Sequence, residues 1–247
     1  MVLWISRPSS AWGLCGPSGR VAMNNLKIIW SILVKDLRVE WRNRETLASM
    51  CVFGLLIVFL FNFAFENARE ETLRLLPAVL WVAIAFAGVL GFNRSFASER
   101  ENSCLEGMTL APVDPSMIFV GKMLANLLFL GIAEVVMAFA AALWFNFSFL
   151  PALSQLLLVA FFGTLGYAAL GTIFGAIAAN TRMREVMLTI LQFPIAFWIL
   201  MLSIDSTSNA MRGNSGSDWV GGIARVAGIS VVFTVASFLL FEYVLEE

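Results

Sequence analysis

Six apolar stretches, each close to 20 residues long, most constrain how this chain can fold. About 20 consecutive apolar residues are needed for a helix to cross the hydrocarbon core of a bilayer. Hydrophobic residues make up 60% of the 247 residues and charged residues only 13%, and the mean hydropathy is +0.84. This composition predicts an all-α polytopic membrane protein. The predicted spans are Leu47–Phe65, Leu75–Phe92, Met123–Phe145, Leu153–Ala179, Val186–Ile204 and Ile223–Tyr243.

The distribution of basic residues predicts the orientation of these spans, because cytoplasmic loops are enriched in Lys and Arg. With the N-terminus inside, only Arg69, Arg74, Arg212 and Arg225 lie outside, which leaves twelve of the 16 basic residues inside. Both termini and the loop between the second and third spans are therefore predicted to be cytoplasmic. The Ser/Gly/Asn-rich stretch Asp205–Gly222 is predicted to be a flexible outer loop.

Two different segments precede the first span. Residues 1–22 are interrupted by Pro, Gly and Arg and have no continuous apolar run, so they make a poor signal peptide. We interpret them as a disordered or mis-assigned extension, with a six-span domain occupying residues 23–247.

An amphipathic helix is predicted from Leu26 to Arg44. Its apolar residues recur at steps of four, three, four and four, which is the period of one helical face. A helix of this kind lies in the membrane interface with its tryptophans at headgroup depth, although packing on a partner in solvent would give the same pattern. The apolar positions are Leu26, Trp30, Leu33, Leu37 and Trp41, with Lys27, Asp36, Arg38 and Arg42 on other faces.

The polar segment Asn93–Lys122, between the second and third spans, carries seven charges and its own helix signals. Ser98 with Glu101 fits a capping box that would start a short interfacial helix, and Ser103 with Glu106 fits equally well. Gly107 can end that helix. Asp114 and Pro115 then predict the start of another helix, as cap and first residue.

Glu134 is the one carboxylate well inside a predicted span, where a charge is costly unless it is paired or faces water. We interpret it as a polar packing or partner contact, with a direct role in transport as the alternative. Small residues every four positions predict close helix approach, and Pro194 predicts a bend in the fifth span. The small residues are Ala83, Ala87 and Gly91 in the second span and Gly171, Gly175 and Ala179 in the fourth.

Several functional classes are excluded by what the sequence lacks. Gly121 and Lys122 are followed by Met123, and no nucleotide-binding phosphate loop occurs, so any ATP must be hydrolysed by another chain. There is no histidine, which removes the commonest metal and haem ligand. The three cysteines have no paired spacing, and a net charge of −1 offers no field for nucleic acid. No metal site and no directly bound cofactor are therefore predicted.

The polar segment resembles the CcmB family, the membrane subunit of the ABC-type haem exporter of cytochrome c maturation. The likeness rests on the fragments NRSF, EREN, CLEG and APVD between Asn93 and Asp114, and it covers about nine tenths of the chain. It implies a type-2 ABC permease fold in which this loop is a cytoplasmic coupling helix on the ATPase. The matching residues are Glu99, Arg100, Glu101, Asn102, Cys104, Leu105, Glu106, Gly107 and Pro112.

The resemblance also implies partners and a location. These are a CcmA-like ATPase, CcmC-like and CcmD-like membrane proteins and a CcmE-like haem chaperone, with two copies of this chain in a complex of the bacterial inner membrane. The implied role is to couple ATP hydrolysis to haem export or to release of the haem-loaded chaperone. A type-2 permease for another amphipathic substrate and a non-transporting assembly subunit remain the alternatives.

Overall fold

The computed structural model describes residues 25–64, 69–101, 114–179, 184–213 and 217–246, which form seven α-helices and one short 3-10 turn, with no strand among them. Six of the helices, α2 to α7, are long and apolar enough to cross a membrane. The predicted all-α polytopic fold is confirmed. The helices are α1 (Asn25–Asn43), α2 (Glu45–Ala64), α3 (Arg69–Glu101), α4 (Pro115–Trp144), α5 (Leu153–Ala179), α6 (Arg184–Met211) and α7 (Ser217–Glu246).

Helix α4 begins two turns before the predicted third span. Pro115 occupies its first turn, as predicted, but the Asp114 side chain makes no capping hydrogen bond. The fixed φ of proline is already helical and its missing N–H needs no partner there, so the ring suffices to start the helix. Lys122, which the sequence suggested as the last residue of a loop, consequently lies inside α4.

The prediction of a flexible outer loop from Asp205 to Gly222 is wrong. Helix α6 continues to Met211, and α7 begins at Ser217. Thr207 is accommodated in the helix because it donates its hydroxyl to the Ser203 carbonyl oxygen one turn earlier, at 2.7 Å. Pro194 lies inside α6, and the bend expected there stays a prediction.

The six spans alternate in direction, so α2, α4 and α6 start at the end of the bundle that carries α1, which we call the α1 end. Helices α3 and α5 form the centre, with 72% and 61% of their span windows buried. Only 17% of the corresponding windows of α2 and α7 is buried. The outer helices therefore present most of their apolar surface to the surroundings, as lipid contact requires.

Small residues of α3 and α5 lie at helix contacts, where the sequence predicted close backbone approach, but their neighbours are side chains. Ala83 and Ala87 of α3 are fully buried, and a side chain on Gly91 would collide with Met50 of α2. Gly171 of α5 leaves no room beside the ring of Phe92. The small residues therefore receive large side chains from the neighbouring helices rather than other small residues.

Helix α1 lies beside α4 and exposes its tryptophans. Trp30 and Trp41 are 66% and 79% exposed, which fits the predicted position at headgroup depth. The side of α1 that meets the bundle carries Ile28, Ile32 and Leu33, and a side chain on Gly121 of α4 would press on Ile32 at 2.9 Å. This close approach brings the polar residues further along α1 against the same stretch of α4.

Candidate functional site

A buried ion pair joins α1 to α4. The Nζ atom of Lys122 lies 2.9 Å from an Oδ atom of Asp36, and the two side chains are 2% and 10% exposed. Lys35 also approaches Asp36 at 3.3 Å, but its side chain is 37% exposed. A buried charge is tolerated only when it is paired, so Asp36 and Lys122 fix the position of α1 on α4.

A second buried carboxylate fixes the junction between α1 and α2. Glu40 is 6% exposed and accepts a hydrogen bond from the backbone N–H of Leu47 at 2.7 Å. That N–H belongs to the first turn of α2, where no carbonyl within the helix is available to it. Arg44 makes the one-residue turn between the helices with φ of 55°, the left-handed conformation that often ends a helix.

A third carboxylate reaches α3. Glu45, the first residue of α2, pairs with Arg94 at 3.1 Å between Oε2 and Nη1, and both side chains are largely exposed. The α1–α2 junction thus holds three carboxylates that bind three different elements, and we call this group the elbow. It consists of Asp36 with Lys122 of α4, Glu40 with the start of α2, and Glu45 with Arg94 of α3.

The elbow holds both ends of the polar segment. Arg94 lies five residues before Glu99, and Lys122 lies ten residues after Pro112. The predicted coupling residues are therefore bracketed by two ion pairs to α1 and α2. Glu99, Arg100 and Glu101 end helix α3, but their side chains lie outside the described part of the chain. Asn102, Cys104, Leu105, Glu106, Gly107 and Pro112 also lie outside the described residues.

The prediction that Ser98 starts a new helix is wrong. Helix α3 runs without a break from Arg69 to Glu101, so Ser98 is an interior residue and cannot be an N-cap. The apolar span ends near Ser95, but helix propagation needs no apolar residues once the preceding turns are formed. The alternative start at Ser103 lies outside the described residues.

Glu134 lies away from the elbow, near the middle of α4. Its Oε2 atom accepts a hydrogen bond from the Thr164 hydroxyl of α5 at 2.8 Å, and Thr164 is buried. Within the part of the chain that is described, no basic side chain forms an ion pair with Glu134. The structure therefore places Glu134 in a polar helix-to-helix contact.

Sequence reasoning missed Asp36, Glu40 and Lys122 as a group. Asp36 and Glu40 are four residues apart on α1 and so share the face that also carries Ile32. Ile32, Asp36 and Glu40 therefore lie on one face of α1, and this pattern could have indicated the buried contacts. A carboxylate on the same face as an apolar residue needs a polar partner when that face packs on another helix. The more regular pattern of Trp and Leu residues on α1 was interpreted instead.

Together, the six apolar helices, the amphipathic α1 and the elbow define a polytopic membrane protein. A family model described as CcmB protein matches residues 27–243. The chain belongs to the CcmB family.

Relatives of this chain are described as Heme exporter protein B. The protein of Pseudomonas aeruginosa is 27% identical over 213 residues, which cover 84% of this chain and 94% of the relative. The protein of Rhodobacter capsulatus is 27% identical over 208 residues, covering 83% and 92%. That of Paracoccus denitrificans is 25% identical over 203 residues, covering 81% and 90%. The family match at residues 27–243 takes in most of α1 and of all six spans.

Proposed function

We propose that this chain is the membrane subunit of an ATP-driven complex for haem export and cytochrome c maturation in a bacterial inner membrane. In this proposal the α1 end faces the cytoplasm, and the segment from Glu99 to Pro112 docks on a separate ATPase subunit. Hydrolysis drives haem export or the release of a haem-loaded periplasmic chaperone. Two copies of the chain, with further CcmC-like and CcmD-like membrane proteins, complete the complex.

The observation that carries this proposal is the double attachment of the polar segment to the elbow. A force applied to the segment passes directly into α3 and α4, which continue the chain on its two sides. From there Arg94 is ion-paired to Glu45 of α2, and Lys122 to Asp36 of α1. Packed helices move as rigid elements, so a displacement at the segment would shift α1 and α2 with it. This geometry suits a subunit that transmits motion from an ATPase into the membrane.

We propose a role in haem handling from the names of the relatives. The composition of this chain limits which part of that role it can perform. The sequence contains no histidine, so it cannot provide the commonest axial ligand of haem iron. We therefore assign haem ligation to a partner protein. The role of this chain is to drive the conformational change that moves the cargo or its carrier.

Complementation tests the proposed function. We expect the chain to restore haem-stained c-type cytochromes in a bacterium whose own CcmB-family gene is deleted, when it is supplied with its neighbouring genes. A tagged chain should co-purify with an ATPase, and the mass of the purified complex should correspond to two copies of each. Normal insertion with no cytochrome c, or a stable and ATPase-competent complex holding one copy, would contradict the proposal.

Accessibility labelling tests the orientation. Single reporter cysteines, placed in a variant without native cysteines, should be labelled from the periplasm at Gly213 and at Asn67–Leu73. Cysteines at Asn102 and Arg184 should react only after the cytoplasm is opened, because the basic residues favour that side. Labelling of Asn102 in intact cells would overturn the assignment of the coupling segment.

A further inference from the structure

Glu134 lies at the edge of the bundle rather than in its centre. One side of α4 is exposed at Leu128, Ile132, Val135, Phe139 and Leu143, and the opposite side is buried at Leu130, Ala133, Met137 and Ala141. The helical period places Glu134 on the flank between these two stripes, where it is half-buried. Glu134 therefore lies where the buried and exposed sides of α4 meet, close to the middle of a membrane span.

The surface beside Glu134 has room for another helix. Gly131, one turn before Glu134, has no atom within 4 Å of the position that a Cβ would occupy. Ala138, one turn after it, is half-buried and small. Small residues on both sides of a polar residue allow another backbone to approach and form an interhelical hydrogen bond. We call Gly131, Glu134 and Ala138 the α4 notch.

We propose that the α4 notch is the seat of a transmembrane helix from a different membrane protein, which donates a hydrogen bond to Glu134. Thr164 occupies one carboxylate oxygen, and hydrocarbon cannot satisfy the other. A helix that presents a hydroxyl or amide donor at this depth complements that oxygen. This inference rests on the proposed function, because it assigns the α4 notch as a surface that binds another membrane protein of the proposed complex.

A second copy of this chain fits the notch less well. The Thr234 hydroxyl, near the middle of α7, already donates to the Ser230 carbonyl oxygen at 2.7 Å. Trp198 is exposed near the middle of α6, but α6 packs on α3, α5 and α7, away from the α4 flank. A closed two-fold contact would need the donor and Glu134 on the same face of the protein. Neither Thr234 nor Trp198 therefore suits the notch, and we assign it to a different chain.

Photo-crosslinking in the assembled complex tests this proposal. A benzophenone side chain replaces Ala138 in the full chain, and the matched control carries it at the adjacent residue Phe139, on the lipid-facing stripe. We expect an adduct with another membrane protein from position 138 and not from position 139. Glu134→Leu should reduce that adduct about fivefold, whereas Glu134→Gln, which still accepts a hydrogen bond, should retain it.

Each other outcome overturns part or all of the proposal. Adducts with lipid only, or with a second copy of this chain, exclude the proposed occupant. If Glu134→Gln and Glu134→Leu reduce the amount of adduct equally, the partner does not bind Glu134 through a neutral hydrogen-bond donor. If neither variant reduces the amount of adduct, the Glu134 carboxyl group does not contribute to binding of the partner helix. The partner helix must also lose the adduct when its own donor is replaced by Leu. If no adduct forms at position 138 while cytochrome c maturation is normal, the α4 notch does not bind a partner helix. The proposed function would not be affected by that result.

Discussion

Asp36→Leu should destabilise the protein by about 3–5 kcal/mol, the cost of removing one member of a buried ion pair. The change removes the carboxylate that lies 2.9 Å from the Lys122 ammonium group, which is 2% exposed. Lys122→Met should cost less, because Asp36 keeps its contact with Lys35 at 3.3 Å. Thermal unfolding in detergent should show a midpoint about 10 °C lower for Asp36→Leu, together with reduced accumulation in the membrane.

The double variant distinguishes an ion pair from simple loss of packing. Combining Asp36→Leu with Lys122→Met removes both members of the buried pair, and we expect most of the lost stability to return. Asp205→Leu is the matched control, since its pair with Arg225 spans 3.6 Å and both side chains are more than half exposed. That change should cost no more than about 1 kcal/mol. A double variant as unstable as Asp36→Leu would contradict the charge argument.

Glu101→Lys and Glu106→Lys should each weaken docking of the ATPase without preventing insertion. Neither residue lies in a predicted span, so the six helices should form normally. If each carboxylate contacts a basic group on the ATPase, its loss costs about 2–5 kcal/mol, and charge reversal adds repulsion. The amount of ATPase recovered with the tagged chain should therefore fall by at least about 30-fold.

Two further variants make this result specific. Glu242→Lys reverses an exposed charge of α7 near the same end of the bundle, and it should leave ATPase recovery unchanged. If Gly107 ends a helix, as the sequence predicts, Gly107→Val should reduce recovery by a different route, because a β-branched residue resists the positive φ of such an end. Normal recovery and normal cytochrome c maturation in all three segment variants, at unchanged protein levels, would show that Glu99–Gly107 does not dock on the ATPase.

Long apolar runs made the positions of the spans predictable, but the residues at which the helices begin and end in polar sequence could not be predicted. The second and fourth spans were placed to within a few residues, because a change from apolar to polar sequence limits the length that can lie in hydrocarbon. The start of α4 and the end of α6 were missed by several residues, since a helix continues into polar sequence whenever its neighbours hold it. Ser98 was misjudged for the same reason: a capping pattern is also compatible with a helix interior.

The sequence by itself determined the membrane class, the six spans, the amphipathic α1 and the resemblance that led to the family. Each of these follows from composition, from periodicity within one helix, or from the order of neighbouring residues, and none requires knowledge of distant contacts. Only the tertiary structure decided that Asp36 meets Lys122, that Glu40 caps α2 and that Glu134 meets Thr164. A charge on a single helix does not specify its partner, because partners 7 to 86 residues apart are chosen by how the helices pack.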